Sequence, residues 1–299
     1  MRFPPHILVN IFKHLPVELL DELNELEKKI DPDSKFIESI IYNYKFIPHC
    51  LFKKYNHQKI KYLNSTCSER HLKVSNLTGV KIVNRLLRFN CEFQQHQKIK
   101  YLNVNIYWDW KSVHTLSLLS NLEYLIIIDV PELDKILKIL STLKHLKSLA
   151  FINCHLCPDF FKTLSECQNL RILKLNNIKS SSSYYHTDIS YLSKLKLVEL
   201  SMISIETLIF WYSVSNIARI VNLNKLTIHN AYTVSDLDTH WKKLINLRYL
   251  EISKYFTRNI SPGVIIGLPH LRSINLIQGD GSKIGIAINL NERDKFKWP

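Results

Sequence analysis

The sequence predicts an α/β fold, a solenoid of stacked repeats in which each repeat supplies one parallel strand and a helical segment on the convex side. The first observation is a pattern, aliphatic-x-x-aliphatic-x-aliphatic, that occurs eight times between residues 99 and 276. The second is its spacing, because successive patterns start 23, 24, 24, 25, 28, 24 and 24 residues apart. The third is the helical periodicity of several segments between the patterns. A repeat of this length is one supersecondary unit, and it buries its apolar face only by stacking on its neighbours.

Leucine dominates the patterned positions. The eight matches are Ile99/Leu102/Val104, Leu122/Leu125/Ile127, Leu146/Leu149/Phe151, Leu170/Leu173/Leu175, Leu195/Val198/Leu200, Leu223/Leu226/Ile228, Leu247/Leu250/Ile252 and Leu271/Ile274/Leu276. An LxxLxL core at this period resembles the leucine-rich repeat signature. The resemblance implies a solenoid over residues 99–299, with its C-terminal cap, and a concave surface suited to holding a partner.

The chain begins with an apolar stripe at helical spacing. Pro5 suits the first turn of a helix, and Pro16 follows its last apolar residue. The stripe consists of Ile7, Leu8, Ile11, Phe12 and Leu15. From the residues alone, this segment is a short amphipathic helix that can dock on a partner helix.

The same segment resembles the start of an F-box, whose pattern runs Leu-Pro-x-Glu-Ile-Leu-x-x-Ile-Phe-x-x-Leu. His6 stands where the family usually has Glu, and no Trp precedes Trp108, although an F-box ends in Val-x-x-x-Trp. The resemblance implies a small all-α F-box-like module at residues 1–56 that binds the Skp adaptor of a cullin ubiquitin ligase. The implied adaptor-binding residues are Pro4, Pro5, Ile7, Leu8, Ile11, Phe12 and Leu15. The alternative is that these helices only cap the repeats.

Charge is distributed unevenly along the chain, whose formal net charge is +14. Residues 18–38 hold eight acids against three lysines, and residues 45–100 hold twelve Lys or Arg against two acids. A basic segment favours an acidic partner surface or weak nucleic-acid contact. The alternative is that a Lys-, Ile- and Asn-rich composition reflects base bias of the genome. Residues 57–98 are a linker or degenerate first repeats, and nucleic acid is not the expected partner.

The segments between the patterns are predicted to be largely helical. Asp134 to Leu146 carries apolar residues at i, i+3, i+4 and i+7, and Pro158 opens a similar segment. Glu206 to Ile220 and Asp236 to Lys243 repeat this pattern, whereas the serines at 180–183 predict a surface loop. The alternating tail from Ile284 to Leu290 predicts an edge strand that closes the last repeat.

Side chains between the patterned aliphatics are predicted to point outward on the concave side, because strand side chains alternate. The outward side chains of the second to fourth repeats then combine into an apolar patch of the kind that often binds partners. Those of the fifth to seventh repeats alternate in charge. The predicted substrate-binding residues are Tyr101, Tyr124, Ile126, Ile128, Ile152, Ile172, Lys174, Glu199, Lys225, His229, Tyr249 and Glu251. Ala150, Leu197 and Ser201 are assigned to this outward set as well. The alternatives are that a flanking segment covers the patch, or that a one-residue slip turns these side chains inward.

No motif predicts an enzyme. Cys154 and Cys157 have the spacing of half a zinc site, but zinc needs four ligands. Cys154 also falls where these repeats place a buried Asn or Cys, so we expect no metal and no cofactor. GxxxxGK[ST], GxGxxG, HExxH and GxSxG motifs do not occur.

Two functions are consistent with these patterns. The six cysteines are scattered, no apolar run is long enough to span a membrane, and the N-terminus lacks a signal peptide, which predicts the cytoplasm or the nucleus. The leading hypothesis is a substrate-recognition adaptor of a cullin-type ubiquitin ligase, with a protein substrate on the concave face. The alternative is a leucine-rich repeat scaffold or regulator outside any ligase, with an N-terminal helical cap.

Overall fold

A computed structural model describes residues 15–30, 47–48, 62–65, 78–82, 97–105, 116–130, 133–180, 188–205, 214–229, 241–253, 267–278 and 282–287. Contacts divide the chain into two units, Met1–Leu122 and Glu123–Pro299. Parallel strands occur in both units, and each unit is described by itself.

The first unit contains one helix and a short parallel sheet. Helix α1 (Val17–Ile30) buries Leu20 and Asn24, which lie one turn apart on the same face. The strands are β1 (Ile47–Pro48), β2 (Tyr62–Ser65), β3 (Gly79–Ile82) and β4 (Tyr101–Asn105). They pair in chain order, with Leu63 opposite Val80 and Val80 opposite Leu102. The sheet therefore includes strands before the first predicted repeat at residue 99, and β1 falls within the range predicted to be all helical.

The second unit carries the repeats in register. Its parallel strands are β5 (Tyr124–Ile128), β6 (Ser148–Ile152), β8 (Ile172–Ser180), β9 (Glu199–Ile205), β10 (Lys225–His229), β11 (Tyr249–Ser253) and β12 (Ser273–Ile277), and β7 (His155–Leu156) pairs beside β8. The patterned residues align across them, so that Leu125, Leu149 and Leu173 form one buried row. The predicted stacking of one parallel strand per repeat is present, and within the described residues the strands form an open sheet that does not close on itself.

The register corrects the fifth repeat. Glu199 pairs with Ile172, so Leu200 follows Leu173 and Met202 follows Leu175 in the buried rows. The repeat is therefore Leu197/Leu200/Met202, and the spacings of 25 and 28 residues become 27 and 26. Leu197 is fully buried, whereas Val198 is 42% exposed, so the prediction that Leu197 points outward is wrong. Leu195 is also buried and lies ahead of the repeat.

The connecting segments are helical but short. They contain α2 (Asp134–Leu140), α3 (Phe160–Leu164) and α4 (Val214–Ile217), with 3-10 helices at Ile189–Lys194 and Trp241–Lys243. Helix α2 buries Ile136, Leu137 and Leu140 toward the sheet, as its periodicity predicts. In α3, the ring of Phe160 packs edge-on against Phe151, with centroids 5.3 Å apart. The predicted loop at residues 180–183 lies mostly outside the described residues.

Polar residues in the left-handed conformation directly follow β5 and β6 and lie within β8 and β9. Asp129, Asn153, Asn177 and Ser204 have φ between 51° and 59°. Asn153 Nδ2 donates to Asp129 Oδ1 at 2.9 Å, and Asn177 Nδ2 donates to Asn153 Oδ1 at 2.8 Å. Asn and Asp tolerate this conformation better than other residues with a Cβ atom. We call Asp129, Asn153 and Asn177 the amide ladder; its members come directly after Ile128, Ile152 and Asn176, which pair side by side on adjacent strands.

The last strand reverses direction. Strand β13 (Lys283–Ala287) pairs antiparallel with β12, with Ile286 opposite Ile274 and Ile284 opposite Leu276. The predicted edge strand is thus present over the described part of the tail, with its isoleucines on the side of the buried rows.

Candidate functional site

Three rows of side chains cover the face of the sheet opposite the buried rows, and we call this the open face. Register places Tyr124, Ser148, Ile172, Glu199, Lys225, Tyr249 and Ser273 in the first row. The second row is Ile126, Ala150, Lys174, Ser201, Thr227, Glu251 and Asn275, and the third is Ile128, Ile152, Asn176, Ile203, His229, Ser253 and Ile277. Every predicted substrate-binding residue of the second unit therefore lies on one face. Ile203, which the sequence analysis missed, takes the place it gave to Ser201 in the fifth repeat.

Apolar side chains predominate on the first three strands of the open face, β5, β6 and β8, which also carry Ser148, Lys174 and Asn176. We call Tyr124, Ile126, Ile128, Ile152 and Ile172 the apolar patch. Tyr124 is 42% exposed, and the four isoleucines are half-buried. The paired register of β5, β6 and β8 excludes the one-residue slip that would have turned these side chains inward. Ala150, which the sequence also suggested, is buried and presents little surface.

Glu199 of β9 occupies the centre of a charged cluster with Lys174 of β8 and Lys225 of β10. Its Oε1 lies 3.3 Å from Lys174 Nζ and 3.3 Å from Lys225 Nζ. The carboxylate is mostly buried, whereas both lysines extend about half their surface into solvent. Register explains this geometry, because Lys225 pairs opposite Glu199 and Lys174 lies one row over on the adjacent strand.

Glu251 forms a second cluster near the last strands. Its carboxylate lies 2.9 Å from His229 Nε2, accepts a hydrogen bond from Lys283 Nζ at 3.1 Å and accepts another from Asn275 Nδ2 at 3.3 Å. The His229 contact is close but is not aligned as a hydrogen bond. Lys283 belongs to β13, and sequence reasoning missed it because an antiparallel strand does not follow the repeat.

Burial and charge act in opposite directions on this cluster. Burial lowers the pKa of His229, and the Glu251 charge offsets only part of that effect. Burial alone would raise the pKa of Glu251, but hydrogen bonds from Lys283 and Asn275 hold it below its ordinary value. Glu251 is therefore ionised and His229 neutral at pH 7.

Tyr249 and Tyr101, the remaining predicted binding residues, differ in location and burial. Tyr249 is 46% exposed in the first row of the open face, beside Lys225 on the adjacent strand. Tyr101 lies on β4 in the first unit and is half-buried. Burial raises the pKa of the Tyr101 phenol, and a hydrogen bond with the Asn103 side chain offsets part of that effect. Tyr101 thus belongs to a different unit from the strands of the open face.

The cysteine pair is part of the repeat core. Cys154 is fully buried, and its Sγ approaches the carbonyl oxygen of Ile152 at 3.3 Å. Burial raises the pKa of the Cys154 thiol to about 11 and that of Cys167 to about 12. Cys154, Cys157 and Cys167 are free thiols. Within the described ranges, no three His, Cys, Asp or Glu side chains are grouped so as to hold a metal ion.

The predicted adaptor-binding residues lie mostly outside the described part of the chain. Only Leu15 of that set is described, and it is half-buried just ahead of α1. Pro4, Pro5, Ile7, Leu8, Ile11 and Phe12 keep their status as predictions. None of the helices in the described ranges has the length and apolar character to cross a membrane.

Comparison with known proteins shows the fold. No protein-family model and no curated protein matches the sequence. Among solved structures, a leucine-rich repeat protein of Leptospira interrogans matches with a TM-score of 0.51 and 17% identity, over 78% of this chain and 59% of the other. The functional domain of InlJ from Listeria monocytogenes, which includes a cysteine ladder, matches with a TM-score of 0.41 and 15% identity, over 73% and 49%.

The ectodomain of the plant receptor kinase GASSHO1/SCHENGEN3 from Arabidopsis thaliana, solved with CASPARIAN STRIP INTEGRITY FACTOR 2, has a TM-score of 0.42 and 16% identity, over 72% of this chain and 26% of the other. This chain thus spans less than two thirds of the length of each of these proteins. The Leptospira match confirms the predicted leucine-rich repeat fold of parallel strands, and that conclusion concerns the fold alone.

Proposed function

We propose that this chain is a protein-binding leucine-rich repeat module whose open face holds the partner. The observation that carries the proposal is the apolar patch, in which three adjacent strands present one tyrosine and four isoleucines to solvent at once. Grouped exposed apolar side chains of this kind mark contact sites, because their burial against a partner removes apolar area from water.

The charged clusters support a division of roles on the same face. Glu199 and Glu251 are each compensated by neighbouring cations, so neither offers an unpaired charge to a partner. Paired groups at the rim of an interface contribute orientation more than affinity. The apolar patch therefore supplies the binding energy in this proposal, and the clusters limit how the partner is placed.

Binding measurements on matched variants test this role. Partners captured by the full chain are purified and titrated against wild type, Ile126→Thr/Ile152→Thr and the control Val221→Thr/Ile245→Thr. The control residues are 45% and 51% exposed and lie off the open face. Threonine retains strand propensity while removing apolar surface. We expect the patch variant to weaken binding about tenfold or more and the control less than twofold. Equal losses in both variants, with circular dichroism unchanged, would refute the proposal.

We further propose that the N-terminal segment joins this module to a Skp-type adaptor and so to a cullin ubiquitin ligase, in the cytoplasm or nucleus. The F-box resemblance of residues 3–16 supports this role, and so does the helix that follows it. Leu19 and Leu26 of α1 are 41% and 52% exposed and lie two turns apart on one face. The pair gives α1 an exposed apolar surface, which supports a docking role for this helix. A scaffold outside any ligase is the alternative.

Co-purification with a Skp adaptor separates the two roles. The full chain is mixed with purified adaptor as wild type, as Ile11→Asp/Phe12→Asp and as Val221→Asp/Ile245→Asp, which carries the same change elsewhere. A ligase adaptor requires that wild type and the control bind and that the N-terminal variant loses at least tenfold in affinity. If wild type fails to bind the adaptor while its open-face partner still binds, the chain is the scaffold.

A further inference from the structure

A row of basic and amide side chains lies along the edge of the sheet where the strands begin. We define the strand-start row as the residues Lys147, Arg171, Val198, Asn224, Arg248 and Arg272, each immediately before a strand. Backbone hydrogen bonds order the row, because the amide N–H of each residue donates to the carbonyl oxygen of the one before, from Arg171 onto Lys147 through Arg272 onto Arg248. The row therefore follows the same spacing as the strands, about 4.8 Å per step.

A groove of about 440 Å³ lies along the middle of this row. Its cationic lining comes from Arg171, Lys196 and Arg248, with His270 at one end. Arg171 Nη1 donates to the carbonyl oxygens of Gln168 at 3.1 Å and Leu170 at 3.0 Å. Among the described residues, no acidic side chain forms an ion pair with Lys196 or Arg248, although Lys174 and Lys225 of the open face both pair with Glu199. Cations that the described residues leave without an acidic partner produce a positive potential along the groove, which attracts an acidic ligand.

The rest of the lining favours a peptide. Asn222 and Asn224 present amide groups, which can both donate to and accept from a peptide backbone, whereas Asn246 Nδ2 already donates to the Val221 carbonyl oxygen at 2.9 Å. Val198 is 42% exposed between Arg171 and Asn224 and offers an apolar contact. The groove has no Phe, Tyr or Trp in its lining, and stacking of bases on such rings is a main source of affinity for single-stranded nucleic acid.

We propose that this groove binds an extended acidic protein segment. The distance along the row from Arg171 to Arg248 is three strand spacings, or about 14 Å. An extended peptide spans this distance with about four to five residues at about 3.3 Å each. The site is separate from the open face, because its side chains come from the positions before the strands. A partner with an apolar surface and an acidic tail would engage both.

Fluorescence polarisation with a defined peptide tests the inference on the full chain. The probe is a labelled peptide of about six consecutive glutamates between Gly-Ser flanks, and the same peptide with glutamines is the uncharged control. The groove variant is Lys196→Gln/Arg248→Gln. Its matched control is Lys242→Gln/Lys243→Gln, which removes the same charge from two exposed lysines on a 3-10 helix outside the groove.

We expect the glutamate peptide to bind, with affinity falling as salt rises, and the groove variant to weaken it about fivefold, against less than twofold for the control pair. Equal weakening by both pairs would overturn the proposal, because it would reflect the net charge of +14 alone. Failure of the glutamate peptide to bind more tightly than the glutamine peptide would overturn it as well. Tighter, groove-dependent binding of a single-stranded RNA with the same number of charges would replace the acidic segment by nucleic acid.

Discussion

At the residue scale, His229 and Glu251 form the most constrained polar contact of the open face. Both side chains are largely buried, and their atoms lie 2.9 Å apart. Burial lowers the pKa of His229 and so favours its neutral form. Protonation at low pH would place a charged imidazolium away from water, which costs free energy in the folded state.

Acidification should therefore lower stability through His229. Its pKa is lowered in the folded state from 6.5, so the unfolded state takes up the proton first as the pH falls. The free energy of unfolding then decreases as the pH falls through 6.5 toward the lower folded pKa. Urea titrations between pH about 7.5 and 5.5 should show this decrease in wild type and a smaller one in His229→Gln. The exposed His155→Gln serves as the control. A decrease of equal size in His229→Gln and wild type would contradict the assignment.

At the element scale, the amide ladder joins three adjacent chain segments directly after the paired residues Ile128, Ile152 and Asn176. Asn153 is its central member, because it donates to Asp129 and accepts from Asn177 with its own φ at 55°. Two separate contributions meet at this residue, one from the side-chain hydrogen bonds and one from the backbone conformation.

Two substitutions separate these contributions. Asn153→Ala removes both hydrogen bonds and leaves a Cβ atom in the left-handed region, so we expect about 2 kcal/mol less free energy of unfolding. Asn153→Gly loses the same hydrogen bonds but tolerates the conformation, and its loss should be about 1 kcal/mol. Chemical denaturation of both variants measures the difference. If alanine were as stable as glycine, the backbone conformation would not contribute.

The same elements show what could be predicted from sequence. The period of about 24 residues located β5, β6, β8, β10, β11 and β12, but it did not include the two-residue strand β7 and was out of register at the fifth repeat, in β9. There, Leu195 and Val198 satisfied the aliphatic pattern, whereas the true repeat ends in Met202, which the pattern did not include. The groove and the amide ladder could not be predicted, because they depend on lateral contacts between residues that are distant in sequence.

At the scale of the whole molecule, charge is the dominant property. The net charge of +14 produces self-repulsion in the folded state, and dissolved salt screens it. Raising NaCl from about 20 to about 200 mM should raise Tm by about 2–4 °C in differential scanning calorimetry. An equal rise in Tm with sodium acetate at matched ionic strength would identify screening as the cause. A Tm that falls with both salts would show that attractive pairs such as Lys147–Glu123 outweigh the repulsion.

Strand β13 has a consequence for self-assembly. In a stack of near-identical parallel repeats, the final parallel strand has the same unpaired backbone edge that each earlier strand uses to pair with the next. A second molecule can pair with such an edge and extend the stack into a fibre. The antiparallel turn onto β12 occupies that edge with a strand of opposite direction and only five residues. Head-to-tail addition of a further parallel repeat onto β12 is thereby blocked, because β13 already pairs with that edge.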